Sequence, residues 1–202
     1  MHKGRLEAFS DGVLAIIITI MVLELHVPPG ADFAALCAMT PKLLGYALSF
    51  VFVAIYWNNH HHMLHAAHRV SGSVLWANMQ LLFWLSLTPW VTAWMGEHPF
   101  APFPVAAYGT VLLLSGTSYY ILERRLIVVH GADSAFARVL GNDLKGILSM
   151  VLYAAAIAVA FVEPHASCAL YVMVAILWLV PDRRFERAVE AQPDPAHGRH
   201  GS

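Results

Sequence analysis

Charge is scarce in this chain: Asp, Glu, Lys and Arg supply only 12% of its 202 residues, about half the share found in soluble domains. That scarcity excludes an ordinary water-soluble globule. The net charge of −1 leaves no basic stripe for phosphates, so no nucleic-acid partner is expected. Cysteine is limited to Cys37 and Cys168, which form neither a disulfide framework nor a thiolate metal spacing. Catalytic signatures are also missing, with no Gly-x-Ser-x-Gly elbow, glycine-rich phosphate loop or His-Glu-x-x-His pair. An enzyme is therefore not expected. Nor does the chain contain the Thr-Val-Gly-Tyr-Gly run of a carbonyl potassium filter, so any ion selection must rest on side chains.

What is abundant is apolar sequence, at 58% of residues with a mean hydropathy of +0.60. Six apolar segments stand out, roughly 9–27, 43–62, 74–94, 105–122, 147–162 and 166–180. Each approaches the ~20 residues that cross a ~30 Å hydrocarbon core, the last two being short. The first segment follows Lys3 and Arg5 as a signal peptide would, but Glu7 and Asp11 interrupt it and no small-residue cleavage site follows. Pro28 and Pro29 are expected to end it. With the N-terminus inside, eleven of the twelve Lys and Arg residues fall on the cytoplasmic side and only Lys42 outside, which fits an even number of spans. The expectation is an all-α membrane protein: one six-helix domain over residues 1–185, both termini cytoplasmic, and a polar tail over 186–202 expected to be disordered.

The first segment carries two kinds of residue. Its head, Arg5 to Gly12, brings charge to the membrane edge, where charge is costly unless paired. Beyond it, at about 100° per residue, Arg5, Gly12, Ile16, Thr19, Leu23 and His26 share a sector roughly 80° wide. Around an axis of several copies, Ile16 and Leu23 would make apolar rings with the Thr19 hydroxyls between them. Such rings can gate by dewetting, and hydroxyls can replace part of an ion's hydration shell. The same periodicity also suits a helix that packs on neighbours or touches lipid. Glu24, just beyond Leu23, would place a carboxylate at the pore mouth or simply at the interface.

Asp11 needs partners, either Arg5 or polar groups on other helices. The second segment closes on Tyr56-Trp57-Asn58-Asn59-His60-His61-His62, and Asn78 and Gln80 open the third. Since buried polar groups are hydrogen-bonded, a knot among Ser10, Asp11, His60 and Asn78 is expected. His61, His65 and His68 have i, i+4, i+7 spacing that could hold zinc or serve a haem site, but no Cys, Asp or Glu completes a site there. A solvated interfacial face is the plainer reading, and no metal site is expected. Trp76, Trp84, Trp90 and Trp94 read as interface and packing aromatics.

Arg5-x-x-x-Phe9-Ser10-Asp11 resembles the RxxxFSD signature of the potassium-channel family known as transmembrane protein 175. The Ile/Leu-rich run ending Leu23-Glu24-Leu25, Trp57-x-x-His60-His61 and Asn78-x-x-Leu81-Leu82 also look like the family pattern. The resemblance covers about the first ninety residues. It implies a prokaryotic homotetramer in the bacterial inner (plasma) membrane, with the first helix lining a central pore and potassium passing modestly in preference to sodium. Ile16 would form the constriction with Thr19 and Leu23 as further layers, Gly12 and Ile20 beside them on the pore wall, and Glu24 at the mouth. Arg5, Phe9, Ser10, Asp11, Trp57, His60 and Asn78 would form the supporting network. No cofactor is implied, only permeant potassium ions and the lipid bilayer. The chain departs from the pattern in its three consecutive histidines. A histidine-dependent metal or haem protein and a proton-coupled carrier titrating Asp11 or Glu24 remain the alternative functions.

Overall fold

The computed structural model describes residues 3–131, 134, 137 and 143–179. Arg138, Arg183, Arg184, Arg187, Arg199, Val180 and the expected tail lie outside the described residues. Among the described residues every regular element is a helix: α1 (Lys3–Leu23), α2 (Phe33–Ala38), α3 (Thr40–Ala66), α4 (Gly72–Ser86), α5 (Thr88–Glu97), α6 (Pro102–His130), α7 (Leu144–Val159) and α8 (Pro164–Leu179). Among the described residues the six expected segments appear as seven of these helices, the third being split into α4 and α5, and α2 lies in the connection between the first two. α1, α3 and α6 are long and apolar enough to cross a membrane, while α7 and α8 are shorter apolar helices, each about 24 Å long at 1.5 Å per residue.

Two departures from the expected segments have the same cause. The third segment is not continuous but breaks at Leu87, and the connection between α1 and α3 contains α2, which ends just before Met39. Leu87 (φ −84°, ψ −9°) and Met39 (φ −83°, ψ −7°) each precede a Thr-Pro pair, Thr88-Pro89 and Thr40-Pro41. A proline lacks the N–H that would bond four residues back and its ring crowds that carbonyl, so the ladder is interrupted while the chain stays in the right-handed region. α4 and α5 together run about 38 Å.

α1 stops at Leu23, five residues before the first of the prolines expected to end it. Pro28 cannot donate to the Glu24 carbonyl. The backbone N–H of His26 donates to that oxygen at 3.0 Å, and its Nδ1 lies 2.9 Å away. His26 therefore turns away from the helical sector assigned to it. α3 runs one turn past its expected end and carries His61 and His65 on helix, but His68 lies beyond it.

Charge separates along the bundle. Lys3 Nζ donates to the His65 carbonyl at 2.8 Å and the His68 backbone N–H to His130 Nε2 at 2.9 Å, which gathers the start of α1 and the ends of α3 and α6. Lys42 and Glu97 pair at 3.5 Å, and Phe100 stacks on His165 with centroids 3.9 Å apart, at the other end. Lys3, Arg5, Arg69, Arg124 and Arg125 all belong to the first end.

Two buried clusters hold the bundle. One joins the inner faces of α1, α3, α4 and the second half of α6, through residues such as Leu14, Met63, Leu81 and Leu122. The other joins α3, α5, the first half of α6, α7 and α8 around Tyr108, Tyr153 and Tyr171. Gly109 lets α8 approach α6, because a Cβ there would overlap the Tyr171 hydroxyl. That hydroxyl donates to the Val105 carbonyl at 3.0 Å.

Candidate functional site

The two faces of α1 have different surroundings. Leu6, Ser10, Leu14, Ile17 and Met21 are buried and recur at helical spacing against α3, α4 and α5. About 150° around the helix, Arg5, Phe9, Gly12, Ile16, Thr19, Ile20 and Leu23 are exposed in the single subunit. Ile16 is 59% exposed and Leu23 73%. A Cβ added at Gly12 would meet nothing within 4 Å, so no contact inside the subunit requires glycine there. Thr19 Oγ1 donates to the Ala15 carbonyl at 2.9 Å, which uses its proton internally and leaves the oxygen lone pairs as acceptors. Glu24 is exposed just past the helix end, on the rim of a cleft shared with Lys42 and Glu97.

The buried face is fixed by a relay of hydrogen bonds. His60 Nε2 lies 2.7 Å from Asn78 Oδ1, Asn78 Nδ2 donates to Ser10 Oγ at 3.0 Å, and Ser10 Oγ donates to the Leu6 carbonyl at 2.9 Å. With the proton of His60 on Nε2, each donor in this relay has its acceptor. All three side chains are buried, at 2% exposure or less. The relay ties α1 to α4 and α4 to α3 in the apolar interior, where an unpaired polar group would cost roughly 1–3 kcal/mol.

The expected knot of four residues divides in two. Ser10, His60 and Asn78 come together, but Asp11 does not join them. Neighbouring residues on a helix point about 100° apart, so Ser10 and Asp11 cannot both aim at Asn78. Asp11 Oδ1 instead accepts from Trp57 Nε1 at 3.0 Å. Arg5 is exposed and makes no bond to Asp11, and Gln80 faces outward, away from the relay. Phe9 is also exposed, at 49%.

Trp57 begins an aromatic column along α3. It stacks on His61 at 5.9 Å, and His61 stacks on His65 at 6.0 Å. His68 does not extend this face, since the helix ends at Ala66, and no group of three or more His, Cys, Asp or Glu side chains among the described residues could hold a metal.

The Trp57–Asp11 bond joins two residues that the sequence grouped in one supporting network without pairing them. A further contact had no counterpart in the sequence. It is a buried knot in which Ser49 Oγ lies 2.7 Å from Thr92 Oγ1 and 3.0 Å from Tyr108 OH, joining α3, α5 and α6. Its only trace is one hydroxyl residue in each of three apolar stretches.

Comparison with known proteins gives one direction. Residues 5–89 match the family described as the endosomal/lysosomal potassium channel TMEM175. The chain is similar to a potassium channel of Chryseobacterium sp. (strain P1-3), 49% identical over 190 residues that cover 94% of this chain and 99% of that one. It is 35% identical over 96 residues to the human endosomal/lysosomal proton channel TMEM175, covering 41% of this chain and 19% of the human protein. Its fold is similar to the crystal structure of a lysosomal potassium-selective channel TMEM175 homolog from Chamaesiphon minutus, with a TM-score of 0.76, 28% identity, and coverage of 88% and 96% of the two chains.

Proposed function

Because this chain belongs to the TMEM175 family, a family of multi-pass membrane ion channels rather than enzymes, we propose that it is a potassium-permeable channel whose pore wall is the exposed face of α1. The observation that carries this reading is the pairing of that face with its sequence. Gly12, Ile16, Thr19 and Leu23 lie open in the subunit, glycine is required by nothing inside it, and the same helix is anchored from behind through Ser10 and Asn78. Four copies around an axis would close these faces on one another.

In that arrangement the Ile16 and Leu23 rings form the constrictions. A cation passing them sheds part of its water, which costs less for potassium than for the smaller, more strongly hydrated sodium. The Thr19 hydroxyl oxygens, about 4.5 Å along the axis from Ile16, offer partial replacement ligands. Modest potassium preference follows without a carbonyl filter. Glu24 concentrates cations at the outer mouth, tempered by Lys42 nearby. The bacterial inner membrane is the proposed location.

Planar-bilayer recording of the purified protein under potassium/sodium bi-ionic conditions tests this reading. Unitary currents reversing toward the potassium equilibrium potential are expected. Flux that saturates and follows the pH gradient would instead make the protein a carrier, and currents reversing at the proton equilibrium potential would make protons the permeant ion, as the name of the human relative suggests for that protein.

A further inference from the structure

On the outer side of α4 and α6 lies a groove of about 580 Å³ that takes no part in the proposed pore. Ser73, Trp76, Gln80, Phe83, Ile121 and Arg125 line it. Its two ends differ in chemistry. Arg125, Trp76 and Ser73 bring a guanidinium, an indole N–H and a hydroxyl toward the basic end of the bundle, and the Gln80 amide lies about 10 Å further along α4 than Ser73. Phe83 lies about 15 Å further along α4 than Ser73, and Ile121 one turn deeper on α6 than Arg125. Among the described residues, the Arg125, Gln80 and Trp76 side chains have no hydrogen-bond or ion-pair partner, and no carboxylate lines the groove. Trp76 is 79% exposed and Phe83 55%.

A cation and neutral donors at the membrane edge, continuing into an apolar channel along the membrane normal, match a phospholipid in both charge and polarity. We propose that this groove binds one anionic phospholipid of the cytoplasmic leaflet, its phosphate held by Arg125 with Trp76 and an acyl chain lying along Phe83 and Ile121. Juxtamembrane basic residues attract anionic lipids in this leaflet, and the guanidinium suits a phosphate in a planar, two-point contact. The proposal needs only that the chain sits in a membrane with its basic end toward the cytoplasm, so it stands apart from the identity of the permeant ion.

Native mass spectrometry of the full-length protein exchanged into equimolar phosphatidylglycerol and phosphatidylcholine tests it. Preferential retention of phosphatidylglycerol is expected. Arg125→Gln should lower that retention about fivefold, Arg125→Lys should restore part of it, and Phe83→Ala should weaken retention of both lipids. Equal retention of the two lipids by the native protein, or undiminished phosphatidylglycerol on Arg125→Gln, would overturn the proposal. So would a changed number of subunits in Arg125→Gln or Trp76→Ala, which would assign the groove to a second copy of the chain. Arg125 is exposed, and a melting curve on the same preparation verifies that each variant is folded.

Discussion

The inner and outer faces of α1 belong to one helix yet differ in what satisfies them. On the inner face, Ser10 is bonded through Asn78 to His60, and Leu14, Ile17 and Met21 fill the space between α3, α4 and α5. On the outer face, Gly12, Ile16, Thr19 and Leu23 touch little of their own subunit. Lipid would accept the isoleucine and leucine equally well, but a hydroxyl and a bare glycine in the same row gain nothing from lipid. The inner face thus determines where the helix stands, and the outer face, under the proposed function, is left free to determine what passes it.

Substitutions should separate the two roles. The largest effect is expected for Asn78→Leu, which removes two of the three bonds of the relay and leaves His60 buried without its partner and Ser10 with only the Leu6 carbonyl; a stability loss of about 3–5 kcal/mol should appear in detergent unfolding curves. Any protein that survives should keep its potassium/sodium ratio. Ile17→Ala on the inner face should cost about 2–4 kcal/mol by opening a cavity. Its neighbour Ile16→Asn should leave the melting curve nearly unmoved, within about 0.5 kcal/mol as for other exposed positions, while raising relative sodium permeability in liposome flux. Trp57→Phe keeps the ring stack and loses only the bond to Asp11, so about 1 kcal/mol is expected in the same unfolding assay. The smallest change should come from Thr19→Val, with unaltered stability and a reduced potassium conductance in single-channel records. Equal stability losses at Ile16 and Ile17 would erase the distinction between the faces.

Much of the architecture could be read from the chain because apolar runs near bilayer length have few alternatives, and because basic residues cluster at one end. Breaks within those runs were harder to read. Pro41 and Pro89 were visible, but a membrane helix tolerates proline, and only the backbone at Met39 and Leu87 shows where the ladder yields. The Ser10, His60 and Asn78 grouping was legible because polar residues in apolar helices must find one another. The pairing of Asp11 was not, since its partner depends on a side-chain direction that one residue's step along a helix turns by about 100°. His68 was misplaced for a similar reason: spacing alone assumes a helix that in fact ends at Ala66. That Gly12, Ile16, Thr19 and Leu23 share one face of α1 was legible from periodicity, which left open whether that face packs inside the subunit; its role as a pore wall rests on copies of the chain meeting there.

Cysteine accessibility tests that role most directly. In a background with Cys37 and Cys168 replaced by serine, Ile16→Cys and Ile17→Cys would be recorded in potassium before and after a cationic methanethiosulfonate reagent. The account predicts that the reagent abolishes current through Ile16→Cys and leaves Ile17→Cys unaffected. Block at Ile17→Cys, with Ile16→Cys modified yet conducting normally, would place the conduction path on the other side of α1 and contradict it.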